Sequence, residues 1–92
     1  MISPAAESDR LPRAACRLQW TRGPAGTSYD LLVSDDELTI LATVKGLEEP
    51  HYTLPPEKIP TSATKLLWRV TARLPDGRTV ASDTFTTVIL GP

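Results

Sequence analysis

Leu74-Pro75-Asp76-Gly77 stands between two runs in which apolar and polar residues alternate, and no other feature restricts the fold of this chain as tightly. The first run, Lys65 to Arg73, puts Leu66, Trp68, Val70 and Ala72 on one side of an extended strand, because strand side chains alternate with period two. The turn between the runs has a mechanism. Proline pre-sets φ at the first central position, aspartate tolerates the second, and Gly77 supplies the positive φ that closes a short hairpin. A β-hairpin built on Trp68 has an apolar face, and the rest of the chain must cover it.

The remaining segments read as short strands suited to that task. Cys16, Leu18 and Trp20 alternate with Arg17 and Gln19 in a strand over Cys16–Thr21. Ser28–Val33 turns Tyr29, Leu31 and Val33 inward and Asp30 and Leu32 outward. Ser34-Asp35-Asp36-Glu37 reads as a solvated turn, Leu38–Val44 as a strand, and Lys45-Gly46-Leu47 as its break. His51–Leu54 is a short strand stopped by Pro55-Pro56, since proline cannot continue a ladder. Ile59 is the large apolar residue of the loop that follows, and is expected to plug the end of the core. Arg78–Val88 returns beside Lys65–Arg73, with a bend near Ser82. Residues 1–13, with Pro4 and Pro12, read as a linker or lead-in, with a short strand between Pro12 and Ala15. The folded domain is 14–90. Seven short strands separated by turn signals predict an all-β sandwich or small barrel.

Composition narrows the function. The 92 residues suffice for one domain, and 40% hydrophobic with 23% charged residues is ordinary for a globular chain. A net charge of −1 argues against nucleic acid as a partner, because phosphate binding calls for a basic excess. One cysteine excludes an internal disulfide, the absence of asparagine excludes N-glycosylation, and no apolar run is long enough for a membrane span. The first residues lack a basic-then-apolar signal pattern.

The order Leu18-x-Trp20, Tyr29-x-Leu31-x-Val33, Tyr52-x-Leu54, Ile59-Pro60, Trp68-x-Val70-x-Ala72 and Phe85 resembles a fibronectin type III domain over about residues 14–90. The resemblance implies an immunoglobulin-like sandwich with sheets A-B-E and C′-C-F-G. Cys16–Thr21 is then B, Ser28–Val33 is C, Lys65–Arg73 is F and Arg78–Val88 is G. The chain departs from the family at Leu66, where a tyrosine and its corner hydrogen bond are usual, and at Trp68, where a smaller valine is common. Trp68-Arg69-Val70 and the lead-in rich in proline and alanine are similar to bacterial variants in the extracytoplasmic part of membrane-anchored anti-sigma factors. That implies a non-catalytic sensing or binding module outside the membrane, with a protein or envelope ligand. The alternatives are an accessory spacer or binding module of a secreted or surface enzyme, and a free-standing protein-binding adaptor.

The residues themselves assemble no catalytic group. His51 has no second ligand at metal spacing, Cys16 begins an inward-facing pattern, and Asp35-Asp36-Glu37 lacks the spaced oxygens of a calcium loop. Gly23-Pro24-Ala25-Gly26 is followed by no Lys-Ser/Thr and is not a phosphate loop. The expected protein is therefore not an enzyme and takes no cofactor or metal. The candidate interaction face is the outside of the sheet containing C and F. If Tyr29 and Trp68 face inward, Leu32 and Leu67 face outward on neighbouring strands, with Asp30 and Arg69 as a cross-strand ion pair beside them. Adjacent exposed leucines suit a partner or a weak homodimer.

Overall fold

The computed structural model describes residues 2–4, 9–13, 16–60 and 62–90, and their fold is all-β. The strands are β1 (Arg10–Pro12), β2 (Cys16–Gln19), β3 (Ser28–Asp35), β4 (Ile40–Leu47), β5 (His51–Leu54), β6 (Lys65–Arg73), β7 (Thr79–Ala81) and β8 (Phe85–Leu90). A larger sheet runs in the order β1-β8-β6-β3-β4, with β7 also paired to β6. A second sheet consists of β2 and β5.

The core lies between the sheets and follows the period-two reading. Tyr29, Leu31 and Val33 of β3 and Leu66, Trp68, Val70 and Ala72 of β6 are buried. Cys16 and Leu18 of β2 and Leu54 of β5 close over them from the other side. Ile59 is buried as well. A single 3-10 turn over Pro56–Lys58 swings it in, with Ile59 N–H donating to Pro56 C=O at 3.0 Å.

Four expectations are corrected. The described residues form eight strands rather than seven, because the expected strand Arg78–Val88 is two, β7 and β8. Ser82 divides them. Its backbone N–H donates to Val70 C=O at 2.8 Å, its Oγ accepts from Val70 N–H at 2.9 Å, and the same hydroxyl donates to Asp83 C=O. A side chain thus takes the place of a ladder carbonyl, and the strand jogs there.

The first strand is not an A strand beside β2 and β5 in an A-B-E sheet. It is Arg10–Pro12, parallel to β8, with Leu11 opposite Ile89 so that both enter the core. The part of the expected Pro12–Ala15 strand at residues 14 and 15 lies outside the described residues. Earlier in the chain, Pro4 bridges Trp20 and Thr21 N–H donates to Ser3 C=O at 2.9 Å, so the lead-in touches both sheets.

The expected break at Lys45-Gly46-Leu47 is a bulge within β4. Gly46 sits at φ +73°, and Asp30 Oδ1 accepts its N–H at 3.2 Å, so the strand continues to Leu47. Leu38, expected in that strand, lies before it in the turn.

Candidate functional site

The two tight hairpins of the larger sheet are built alike, and the comparison locates the site. In the β6–β7 turn, Leu74 N–H donates to Arg78 C=O at 2.7 Å and Gly77 N–H to Leu74 C=O at 2.9 Å, with Gly77 at φ +92°. In the β3–β4 turn, Asp35 N–H donates to Thr39 C=O and Leu38 N–H to Asp35 C=O, both at 3.1 Å. The residue in the glycine position is Leu38, at φ +66°. It is the described non-glycine residue with positive φ, a region in which a Cβ crowds the backbone. Asp35 holds the turn in this shape. Far from being solvated, it is 8% exposed, and its Oδ1 accepts the N–H groups of Glu37 and Thr39, each at 2.9 Å.

That turn projects Leu38, 73% exposed, next to Ile40, 62% exposed. Ile40 is opposite Ser34, and Ser34 is opposite Leu67, so the register places Ile40, Ser34 and Leu67 in one row on the outside of the larger sheet. Leu32 follows two residues before Ser34 on the same face, 39% exposed. Leu32 and Leu67 are diagonal neighbours, as the alternation implies, and with Leu38 they line a groove of about 170 Å³. A second groove of about 270 Å³ continues from Leu32 and Arg69 toward Lys45 and Asp30. Because these leucines face away from the core, Leu32→Ser combined with Leu67→Ser should leave the fold intact. Circular dichroism should show an unchanged β spectrum and a melting midpoint within a few degrees of the parent.

The ion pair on this face differs from the expected one. Asp30 Oδ2 accepts from Arg73 Nε at 3.2 Å and Nη2 at 3.0 Å, not from Arg69. The carboxylate is opposite Thr71 and reaches diagonally to the next outward residue, while Arg69, opposite Leu32, stays exposed. Burial raises the Asp30 carboxyl, but the Gly46 and Arg73 hydrogen bonds and the charges of Arg73 and Lys45 outweigh it and leave the group below its ordinary 3.8. A carboxyl lowered by folding stabilises the fold at neutral pH, and that contribution is lost as pH falls from the ordinary value through the lowered one. Asp30→Asn should therefore cost at most ~1 kcal/mol at pH 7. Urea titrations between pH 2 and 7 should show the difference from the parent shrinking at the acid end.

Searches against protein families, curated proteins and solved structures return no match to this chain. Its chemistry must be read from its own residues. Among the described residues no three His, Cys, Asp or Glu side chains gather as metal ligands, and no helix is long and apolar enough to cross a membrane. Cys16 is fully buried, and burial pushes its thiol up to about 11, far from a thiolate at neutral pH. Trp20, Trp68 and Tyr29 are buried and interlocked, with ring centroids 5.7 Å apart for Trp20 and Tyr29 and 6.0 Å for Trp20 and Trp68. None of the three presents a face for stacking a sugar. Tyr52 and Phe85 are half-buried.

The sequence reading reached Leu32 and Leu67 but missed Leu38 and Ile40. One continuous register over Leu38–Val44 sets both on the side of Ala42, which is opposite the buried Val33. A shift in pairing between Val33 and Ser34 instead brings Ile40 opposite Ser34.

Proposed function

We propose that this domain is a non-catalytic interaction module, a fibronectin type III-like sandwich that contacts a protein partner through the outer face of its larger sheet. The observation that carries the reading is the apolar cluster of Leu38, Ile40, Leu32 and Leu67, whose most exposed member stands in a left-handed backbone position. Unfavourable backbone conformations persist where the surroundings impose them, and they concentrate at sites of contact. The core gains nothing from an exposed leucine, so the benefit lies outside the fold.

The order β4-β3-β6-β8 facing β2-β5 supports the sandwich reading, since it matches the order C′-C-F-G facing B-E. The lead-in between the two sheets is compatible with a split first strand.

The parent protein, on the resemblance of Trp68-Arg69-Val70 and the lead-in, is a bacterial membrane-anchored regulator similar to anti-sigma factors, with this domain outside the membrane. Immunoblotting of fractionated source cells with an antibody to the domain tests that assignment. A species larger than the domain in the membrane fraction, sensitive to protease added outside the membrane, is the expected result. A domain-sized species in the soluble fraction would leave an interaction module that is a free adaptor, and would remove the tether.

A further inference from the structure

The net charge of −1 conceals an uneven distribution: outside the strands, Glu49 is paired with Arg22 and Asp76 with Arg78, so carboxylates and cations are mixed there. Asp36 and Glu37 lie in the β3–β4 turn, Glu48 and Glu49 between β4 and β5, Asp76 in the β6–β7 turn and Asp83 before β8. The outer face of the larger sheet is different. Lys65, Arg69 and Arg73 alternate along the outward side of β6, with Leu67 and Thr71 between them. Arg10 joins that side, because it is opposite Val88, which is opposite Lys65. Lys45 reaches it from β4, lining the groove shared by Leu32 and Arg69. Five cations therefore share the face with one carboxylate, Asp30, which Arg73 already occupies.

Exposed apolar side chains are concentrated in the same place. Among the described residues six large ones are exposed, and Val80 is the exception to the pattern. Val88 and Leu90 share the outward side of β8, and Leu32, Leu38 and Ile40 form the cluster already described.

From this distribution we infer that the partner is a polypeptide segment in which acidic and apolar side chains alternate. The inference rests on the proposed interaction module and names the chemistry of what it binds. Apolar side chains of the segment enter the two grooves beside Leu32, and its carboxylates meet Arg69 and Lys45, which flank them. Complementary charge of this kind speeds encounter and excludes wrong partners.

The same distribution disfavours the other occupants. A second copy placed face to face sets five cations against five, so the weak homodimer considered from the sequence is opposed by like charge. Nucleic acid binding would cover the exposed leucines without supplying a stack, because the rings of Trp68 and Phe85 point into the core. A flat anionic lipid surface that reached the most projecting leucine would also press on Asp36 and Glu37, whereas a segment seated beside Leu32 sets its carboxylates at Arg69 and Lys45.

The test is a titration of the whole chain, labelled with nitrogen-15, with a soluble peptide of repeated Glu-Leu-Glu-Ser units, followed by amide chemical shifts. Parallel titrations use a peptide with lysine for every glutamate, a single-stranded dodecanucleotide, and vesicles containing phosphatidylglycerol. The expected result is that the glutamate-leucine peptide shifts amides of β3, β4 and β6, weakens with salt, and binds at least tenfold more weakly to the Lys45→Glu/Arg69→Glu variant. Equal or tighter binding of the lysine peptide, the oligonucleotide or the vesicles at this face overturns the acidic partner and leaves the interaction surface standing. Shifts confined to the β2–β5 sheet, or no shifts with any probe, overturn both.

Discussion

Replacing Trp68 by alanine should remove most of the domain's stability and leave a sizeable unfolded fraction at room temperature. The side chain is 1% exposed, lies edge-on to Phe85 at a centroid separation of 5.0 Å, and contacts Trp20 from the opposite sheet. Its indole N–H donates to Thr87 Oγ1 at 2.9 Å, and Thr87 is itself fully buried. Truncation removes the apolar area, leaves a cavity between the sheets, and takes away a donor that a buried hydroxyl uses. Losses of this kind run to ~3–5 kcal/mol, against a total stability of about 5–15 kcal/mol for native proteins and near the lower end for a chain this small. Urea denaturation monitored by circular dichroism measures it. The hydrogen bond can be separated from the packing. Trp68→Phe and Thr87→Val, singly and together, form a cycle in which the double variant should lose less than the sum of the singles.

Asp35→Ala should be the next most costly change, at about 2–3 kcal/mol. The carboxylate is nearly buried and accepts two backbone N–H groups of the β3–β4 turn, and alanine leaves both without that acceptor. The loss also releases the backbone that keeps Leu38 at positive φ, so the turn should relax as the protein weakens. Asp35→Asn keeps one acceptor oxygen and should recover about half of the loss. Denaturation midpoints of the two variants decide this, and equal losses would show that the carboxylate charge, not its acceptor geometry, is what the turn uses.

The parts of this molecule that follow from alternation could be read before its structure. The inward sets of β3 and β6 and the outward placement of Leu32 and Leu67 depend only on period two, and the Pro-Asp-Gly turn carries its own geometry. What could not be read depends on partners distant in sequence. Thr87 is buried because Trp68 needs an acceptor, and Ser82 because its hydroxyl replaces a carbonyl in the ladder to Val70. Nothing in the local pattern marks either. Arg10–Pro12 is too short to signal a strand, and its parallel pairing to β8 joins the two ends of the domain. Asp30, opposite Thr71, has Arg69 and Arg73 as its two diagonal neighbours, and alternation alone does not select Arg73 between them. Leu38 was hidden for a different reason: its position calls for glycine, so its sequence contradicts its conformation. The proposed interaction face rests on that contradiction.

The thermal midpoint of Leu38→Gly tests the central claim, that this leucine serves a partner and not the fold. Glycine relieves about 1–2 kcal/mol of left-handed strain and returns part of it as unfolded-state entropy. A net gain of about 0.5–1 kcal/mol corresponds to a rise of roughly 2–8 °C for a domain of this size. The account predicts that rise. A midpoint lower than the parent's would show that Leu38 holds the structure together, and would remove the reason for placing a partner on this face.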